Sequence, residues 1–487
     1  MALAFRQRGG SKMRRRILAF SALVLAGGCD PGDFGAALDR APVQFIGAPD
    51  GFGSNVGRTL LPLAPPADRP KVAARLLFAG TETQSLALAD FDGGGKPQVQ
   101  TATNEDLGAL GLSSGQGGIS SAAWLGAAGT ILLGMPKATA TQGQGTPGGR
   151  VAFLNLVADA GKVDFESAQI PVNGPATESH FGLAVASGFV TQATADEAIV
   201  VSDNGVHVLD VTAGGAVSTT CTGTLQTPPD LYRSLAVADF LPAGNQEIAV
   251  GLPVKGGAGQ VFILQYGANA DPSLPGQLSC VRTFGVPDPV GNPAIGGFGT
   301  ALVAVPDMNG DGLAELVVGA PPDRAYLLFS PFDGSSTPPS VFTKVKVTTV
   351  SGVTKVDTNT SDGASEFGQR LALVDVDGDG IKELAITALQ ANVGRTQKAG
   401  QVLVYKLDGD GRTPIAVVYD SNPTANTEFF GIGLAELEFN SSRACAKGKD
   451  GHLLVAGADA GIFTFFRFAG TADPTKAIAS DPRCFAQ

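Results

Sequence analysis

Charge is scarce in this chain. Asp, Glu, Lys and Arg make up 16% of its 487 residues, against ~25% in an average soluble domain. There is one Trp, with three His, four Met and five Cys. The 34 basic residues are outnumbered by 45 acidic ones, for a formal charge of −11, so nucleic-acid binding has no electrostatic footprint. No two cysteines show C-x-x-C spacing, which argues against a structural zinc site. His180, His207 and His452 stand alone, with no pair at ligand spacing. What is abundant is Gly, at 66 residues, together with 31 Pro and a 44% hydrophobic content. Gly at that density is costly in helix interiors and disfavours coiled coils and helical bundles. The apolar content disfavours general disorder. The expected class is therefore all-β.

The N-terminus reads as an address. Arg14, Arg15 and Arg16 precede the apolar run from Ile17 to Gly28, too short to span a bilayer and typical of a signal peptide. Leu25-Ala26-Gly27-Gly28-Cys29 resembles the lipobox of bacterial lipoproteins, with its Leu one residue further from the Cys than usual. The resemblance implies cleavage before Cys29, lipidation of that residue and anchoring to an inner or outer membrane. An ordinary secretory signal cleaved nearby is the alternative. The expected division is a signal peptide at 1–28, a tether at 29–44 and a folded body at 45–487. From Cys29 onward, 28 basic face 45 acidic residues, or −17. Export also suits the four remaining cysteines, an even number for an oxidising compartment. Sequence proximity favours Cys221–Cys280 and Cys445–Cys484 among the three possible pairings.

Internal repetition governs the rest. Ser85-Leu-Ala-Leu-Ala-Asp-Phe91 nearly repeats as Ser234-Leu-Ala-Val-Ala-Asp-Phe240. A second apolar strand recurs after an acidic turn, starting at Glu247, Glu315 and Glu383. A third begins near Gln98, Val151, Val206, Val261, Ala325, Val402 and Ile462, at intervals of 53 to 77 residues. Seven units of several short strands fit a seven-bladed β-propeller with four-stranded antiparallel blades, each stacking on its neighbours to bury both faces. A pair of β-sandwiches is the competing architecture, and a period sustained over most of the chain argues against it.

Phe298-Gly299 followed by Asp307-Met-Asn-Gly-Asp-Gly-Leu-Ala-Glu-Leu-Val-Val-Gly-Ala-Pro321 resembles an FG-GAP repeat of the integrin α-subunit propeller. Phe367-Gly368 with Asp375-Val-Asp-Gly-Asp-Gly-Ile-Lys-Glu383 is a second close copy. Phe181-Gly182 and Phe430-Gly431 open degenerate ones, and Phe52-Gly53 is a further mark in a region, 41–80, that has room for a closing strand. The resemblance implies a seven-bladed propeller over most of residues 85–468.

Both complete copies place oxygen side chains at alternating positions: Asp307, Asn309, Asp311 and Glu315, and Asp375, Asp377, Asp379 and Glu383. Ca²⁺ takes six to eight hard oxygen ligands. The carbonyls of Leu313 and Ile381 can join the side chains, and Gly312 and Gly380 permit the left-handed turn such curling needs. An EF-hand would carry Glu at position 12, where this chain has Val318 and Ile386, so these are β-hairpin Ca²⁺ loops. The loops begun by Asp90, Asp239 and Glu438 are incomplete and are expected to bind little or nothing, with Asp90 and Asp92 the best of the three. Two Ca²⁺ sites result.

Catalytic signatures fail in context. Gly111-Leu-Ser-Ser-Gly115 fits a nucleophile elbow and Gly143-Gln-Gly-Thr-Pro-Gly148 a dinucleotide loop; neither has the strand and helix its chemistry needs. The expected function is a non-catalytic, membrane-anchored platform for a protein or glycan at the bacterial envelope. A propeller-fold lyase or hydrolase acting on polysaccharide or lipid, or a purely structural envelope component, are the alternatives.

Overall fold

The computed structural model describes residues 44–465 apart from stretches between its elements, the longest being 110–117, 139–147, 225–233, 268–275, 287–296, 420–428 and 440–450. Cys29, Phe52-Gly53, Cys445 and Cys484 lie outside the described residues. Apart from one short helix, Asn104–Ala109, the described elements are strands.

Seven four-stranded antiparallel blades follow one another along the chain. Blade 1 consists of Thr59–Leu63, Val72–Ala79, Leu86–Asp92 and Pro97–Thr101, and blade 2 of Ser121–Leu125, Thr130–Met135, Arg150–Asp159 and Lys162–Asn173. Blade 3 takes Ala184–Gly188, Glu197–Val201, Gly205–Val211 and Val217–Thr224; blade 4 takes Ser234–Ala238, Glu247–Leu252, Gln260–Gly267 and Gly276–Phe284. Blade 5 is Ala301–Val305, Glu315–Ala320, Arg324–Leu328 and Ser340–Thr343. Blade 6 is Phe367–Val374, Glu383–Ala388, Gln401–Tyr405 and Ala416–Val418. Blade 7 combines Leu434–Phe439, Gly451–Ala458 and Gly461–Phe465 with the N-terminal strand Gln44–Gly47, which pairs with Gly461–Phe465 and closes the ring. The first strand of each blade touches the first strands of both neighbours, blade 7 meeting blade 1.

The burial pattern explains why the second strands read as unbroken apolar runs. Side chains alternate across a strand, and here both faces are covered. Leu316 and Val318 pack toward blade 4, while Val317 packs toward blade 6. Seven apolar clusters result, one in each interface between neighbouring blades.

The Phe-Gly doublet and the Gly that ends the second strand meet across these interfaces. Phe181, Phe298, Phe367 and Phe430 are buried against the preceding blade. A Cβ on Gly251 would sit 2.0 Å from the Gly299 carbonyl oxygen, and one on Gly319 would sit 2.1 Å from that of Gly368. Gly299 and Gly368 have φ of +90° and +95°, which glycine adopts freely. In blades lacking the doublet, a hydroxyl assists. Ser121 Oγ donates to the Gly182 carbonyl, Ser234 Oγ to Gly299 and Thr59 Oγ1 to Ile119. Between blades 7 and 1 the contact is Gly457 on Gly57, so Val56-Gly57 takes the place the sequence assigned to Phe52-Gly53.

Two expectations need correction. Gln98 lies in the fourth strand of blade 1, whose third strand is Leu86–Asp92. The match between 85–91 and 234–240 thus equates a third strand with a first one. Blade 1's first strand ends in Leu63-Ala-Pro-Pro66 without an acidic turn, so the repeat pattern settled on the wrong strand. Cys280 is free, with its thiol donating to the Arg282 carbonyl. Cys221 is opposite Gly276 in a parallel pairing of the outer strands of blades 3 and 4. Four residues at ~3.3 Å each separate that register from Cys280, beyond the ~7 Å a disulfide spans between Cα atoms. The expected Cys221–Cys280 bridge is absent.

If backbone contact at these glycines holds the blades together, Gly251→Ala will cost about 2–3 kcal/mol in urea denaturation. Gly108→Ala, with open space around its Cβ in the short helix, will cost nothing.

Candidate metal centre

The complete acidic loops join the first and second strands of blades 5 and 6. The first is held by its own backbone. Asp307 accepts from the Gly310 N–H at 2.7 Å through Oδ1 and from the Gly312 N–H at 2.8 Å through Oδ2. Asn309 Oδ1 accepts from Asp311 N, and Asp311 Oδ1 from Leu313 N. Gly310 and Gly312 take φ of +82° and +84°, the left-handed turn expected at Gly312. Oxygen atoms of Asp307, Asp311 and Glu315 lie within 4.8 Å of one another.

Glu315 differs from the other two in being fully buried. Its Oε2 accepts from the Met308 N–H at 2.9 Å, and its Oε1 has no hydrogen-bond partner. A buried, unsatisfied carboxylate oxygen is costly. Burial, with the nearby charges of Asp307 and Asp311, raises the Glu315 pKa despite the Met308 N–H. Asp307 moves the opposite way, held below the usual carboxylate range chiefly by the Gly312 N–H. A bound cation would relieve both the repulsion and the unfilled oxygen. The donor set therefore fits a hard divalent ion.

The second loop repeats two of these hydrogen bonds. Gly380 N donates to Asp375 Oδ2 at 3.0 Å, and Val376 N to Glu383 Oε2 at 2.9 Å. Asp375 and Glu383 are both buried, whereas Ile381 is exposed. Asp377 and Asp379 lie outside the described residues.

The incomplete loops show what replaces a cation. Glu247 Oε2 accepts from Phe240 N and Leu241 N, and Gln265 Nε2 donates to Oε1. Glu197 in blade 3 does the same with Val190 N, Thr191 N and the Thr191 hydroxyl. Glu197 was missed from sequence, although Glu197-Ala-Ile-Val-Val201 has the same Glu-plus-apolar start as the other three second strands. Asp90 is no loop residue. It is buried on the third strand of blade 1, where Arg75 binds it through Nε and Nη2 at 2.7 and 3.0 Å and Arg69 adds a contact at 3.1 Å. That ion cluster occupies the carboxylate expected to be the best of the incomplete sites. Asp92 accepts from Lys96 N. Asp239 gives its backbone carbonyl to Ala314 N of the blade 5 loop. Glu438 is still within the first strand of blade 7, opposite His452, and pairs with Lys382; Asn440 and Ser442 lie outside the described residues. His180, isolated in sequence, meets Asp203 Oδ2 at 2.8 Å, and His207 stacks edge-on against Phe181.

Compared with known families, residues 298–334 and 367–405 match the FG-GAP repeat. These segments cover the first three strands of blades 5 and 6, the two with complete loops. The chain is a seven-bladed β-propeller carrying FG-GAP repeats, consistent with the integrin α-like kind. A search of curated proteins found no similar sequence.

Glu247 gives a pH test away from the acidic triad. Burial raises its pKa, outweighing the Leu241 and Phe240 N–H groups that lower it. A carboxyl with a raised folded pKa stabilises the fold below its unfolded value, near ~4.3, and that contribution is lost as pH rises through the folded value. Gln can accept the same N–H groups without a charge. Glu247→Gln should therefore match the parent near pH ~4 and exceed it in Tm increasingly toward pH ~7.

Proposed function

We propose that this protein is a non-catalytic, Ca²⁺-stabilised propeller, tethered to the bacterial envelope through a lipid on Cys29, that presents a binding platform for a protein or glycan. The observation that carries the calcium reading is the unpartnered, buried Oε1 of Glu315 beside Asp307 and Asp311. In the other described loops of this kind, Glu197 and Glu247 fill both oxygens with protein donors. Asp307, Asn309, Asp311, Glu315 and the Leu313 carbonyl would hold one ion. Asp375, Asp377, Asp379, Glu383 and the Ile381 carbonyl would hold the other. The metal supplies charge neutralisation that fixes each loop between two strands. The platform reading is supported by architecture: seven sets of loops form a broad face at each end of the ring, and fold alone does not name the ligand. Retention of a partner from envelope extract, with and without Ca²⁺, tests that part; no retained protein or glycan in either condition argues against it.

Thermal unfolding tests the metal. Ca²⁺ at millimolar concentration should raise the Tm above that in chelator, and Asp311→Ala should lose part of that increase. An identical Tm in chelator and in Ca²⁺ would contradict the reading.

A further inference from the structure

Large exposed apolar side chains are few among the described residues, and most of them gather at one end of the ring. Trp124, Phe189, Met308 and Ile381 are four of six, with Ile381 68% exposed. Trp124 is the last residue but one in the first strand of blade 2. Phe189 follows the first strand of blade 3, and Met308 and Ile381 sit within the two complete acidic loops. All four thus occupy the end where first strands turn into second strands. Hydrogen bonds join these turns from blade to blade. Gly126 N donates to Asp196 Oδ2, Phe189 N to Gln246 Oε1 and Ala314 N to the Asp239 carbonyl. Asp375 N likewise donates to Glu436 Oε1. Trp124, Phe189 and Met308 are therefore carried on linked turns of blades 2 to 5, and Ile381 on a turn linked to blade 7.

The chain also enters the ring at this end. Gln44–Gly47 runs antiparallel to Gly461–Phe465, with Gln44 opposite Thr464 and Gly47 opposite Gly461. Gly461 follows the second strand's far end, Ala458. Gln44, in register with Thr464, Val455 and Ala435, is therefore the end of its strand nearer the acidic loops. A tether from Cys29 to this strand, some 15 residues long, reaches at most ~50 Å.

From this placement we propose that the acidic-loop end is a membrane-docking face, whose partner is an anionic phospholipid surface bridged by loop-bound Ca²⁺. The inference rests on the calcium reading above. Charge makes the ion necessary, because the body from Cys29 onward carries −17 and an anionic surface would repel it. Ca²⁺ would cut the charge of each loop, residues 307–315 and 375–383, from −3 to −1, and Trp124, Phe189, Met308 and Ile381 can then enter the headgroup boundary as an interfacial anchor.

Trp124 is the chain's one tryptophan and reports directly. The test uses the full chain carrying Cys29→Ser with vesicles of phosphatidylglycerol and phosphatidylcholine bearing brominated acyl chains. In Ca²⁺, emission should move to shorter wavelength and be quenched; in chelator it should do neither. Phe189→Ser should keep the Ca²⁺-dependent rise in Tm while lowering vesicle partitioning about tenfold. If Ca²⁺ raises the Tm and Trp124 is not quenched, docking is overturned and the calcium reading stands. Equal quenching in chelator overturns the Ca²⁺ bridge. A blue shift without vesicles that grows with protein concentration assigns the face to a second copy of the chain. If Ca²⁺ alters neither Tm nor emission, both readings fall.

Discussion

The close approach of backbone to backbone between neighbouring blades is the constraint on which the rest depends. A four-stranded sheet with two apolar faces is stable only when both are covered, and in a ring each blade covers one face of its neighbour. That requires the start of one blade to lie directly on the second strand of the blade before it. The pairs Gly251/Gly299, Gly319/Gly368 and Gly457/Gly57 leave no room for a Cβ. The buried Phe of each doublet then fills the space beside the contact, as Phe298 does against Tyr326 at a centroid distance of 5.7 Å. The FG and GAP ends of the repeat are thus two halves of one contact, made across successive blades.

The same geometry sets the acidic loops. Once the first and second strands are in register, the residue starting the second strand points into the loop beneath. Glu197, Glu247, Glu315 and Glu383 all occupy that position and are all buried. Each accepts an N–H from the residue seven positions earlier. What varies is the remaining oxygen. Thr191 and Gln265 satisfy it in blades 3 and 4, and the Asp307 loop leaves it open among other carboxylates. One buried carboxylate can therefore serve as a loop cap or as a metal ligand, according to what the loop supplies.

Much of this was legible in the sequence because it is local. Third strands led by Gly149, Gly205, Gly259, Gly400 and Gly461, and the curl at Gly312 and Gly380, follow from residue type and spacing. Interblade relations were harder to read. Nothing local separates a third strand that contains Asp90-Phe91 from a first strand followed by Asp239-Phe240; the difference is the pair of arginines, Arg69 and Arg75, brought to Asp90 by a neighbouring strand and its approach. Val56-Gly57 went unrecognised because its role is set by Gly457, some 400 residues away. The Cys221–Cys280 pairing failed for a related reason, since proximity in sequence does not fix register across two blades.

The division between loops that cap themselves and the two complete acidic loops proposed to hold Ca²⁺ is the central claim, and it carries a stoichiometry. Native mass spectrometry of the protein in Ca²⁺ measures it directly. The account predicts two ions per chain, falling to one in Asp311→Ala. A protein with no bound ion, or with ions in excess of two because the Glu197 and Glu247 loops also bind, would contradict it.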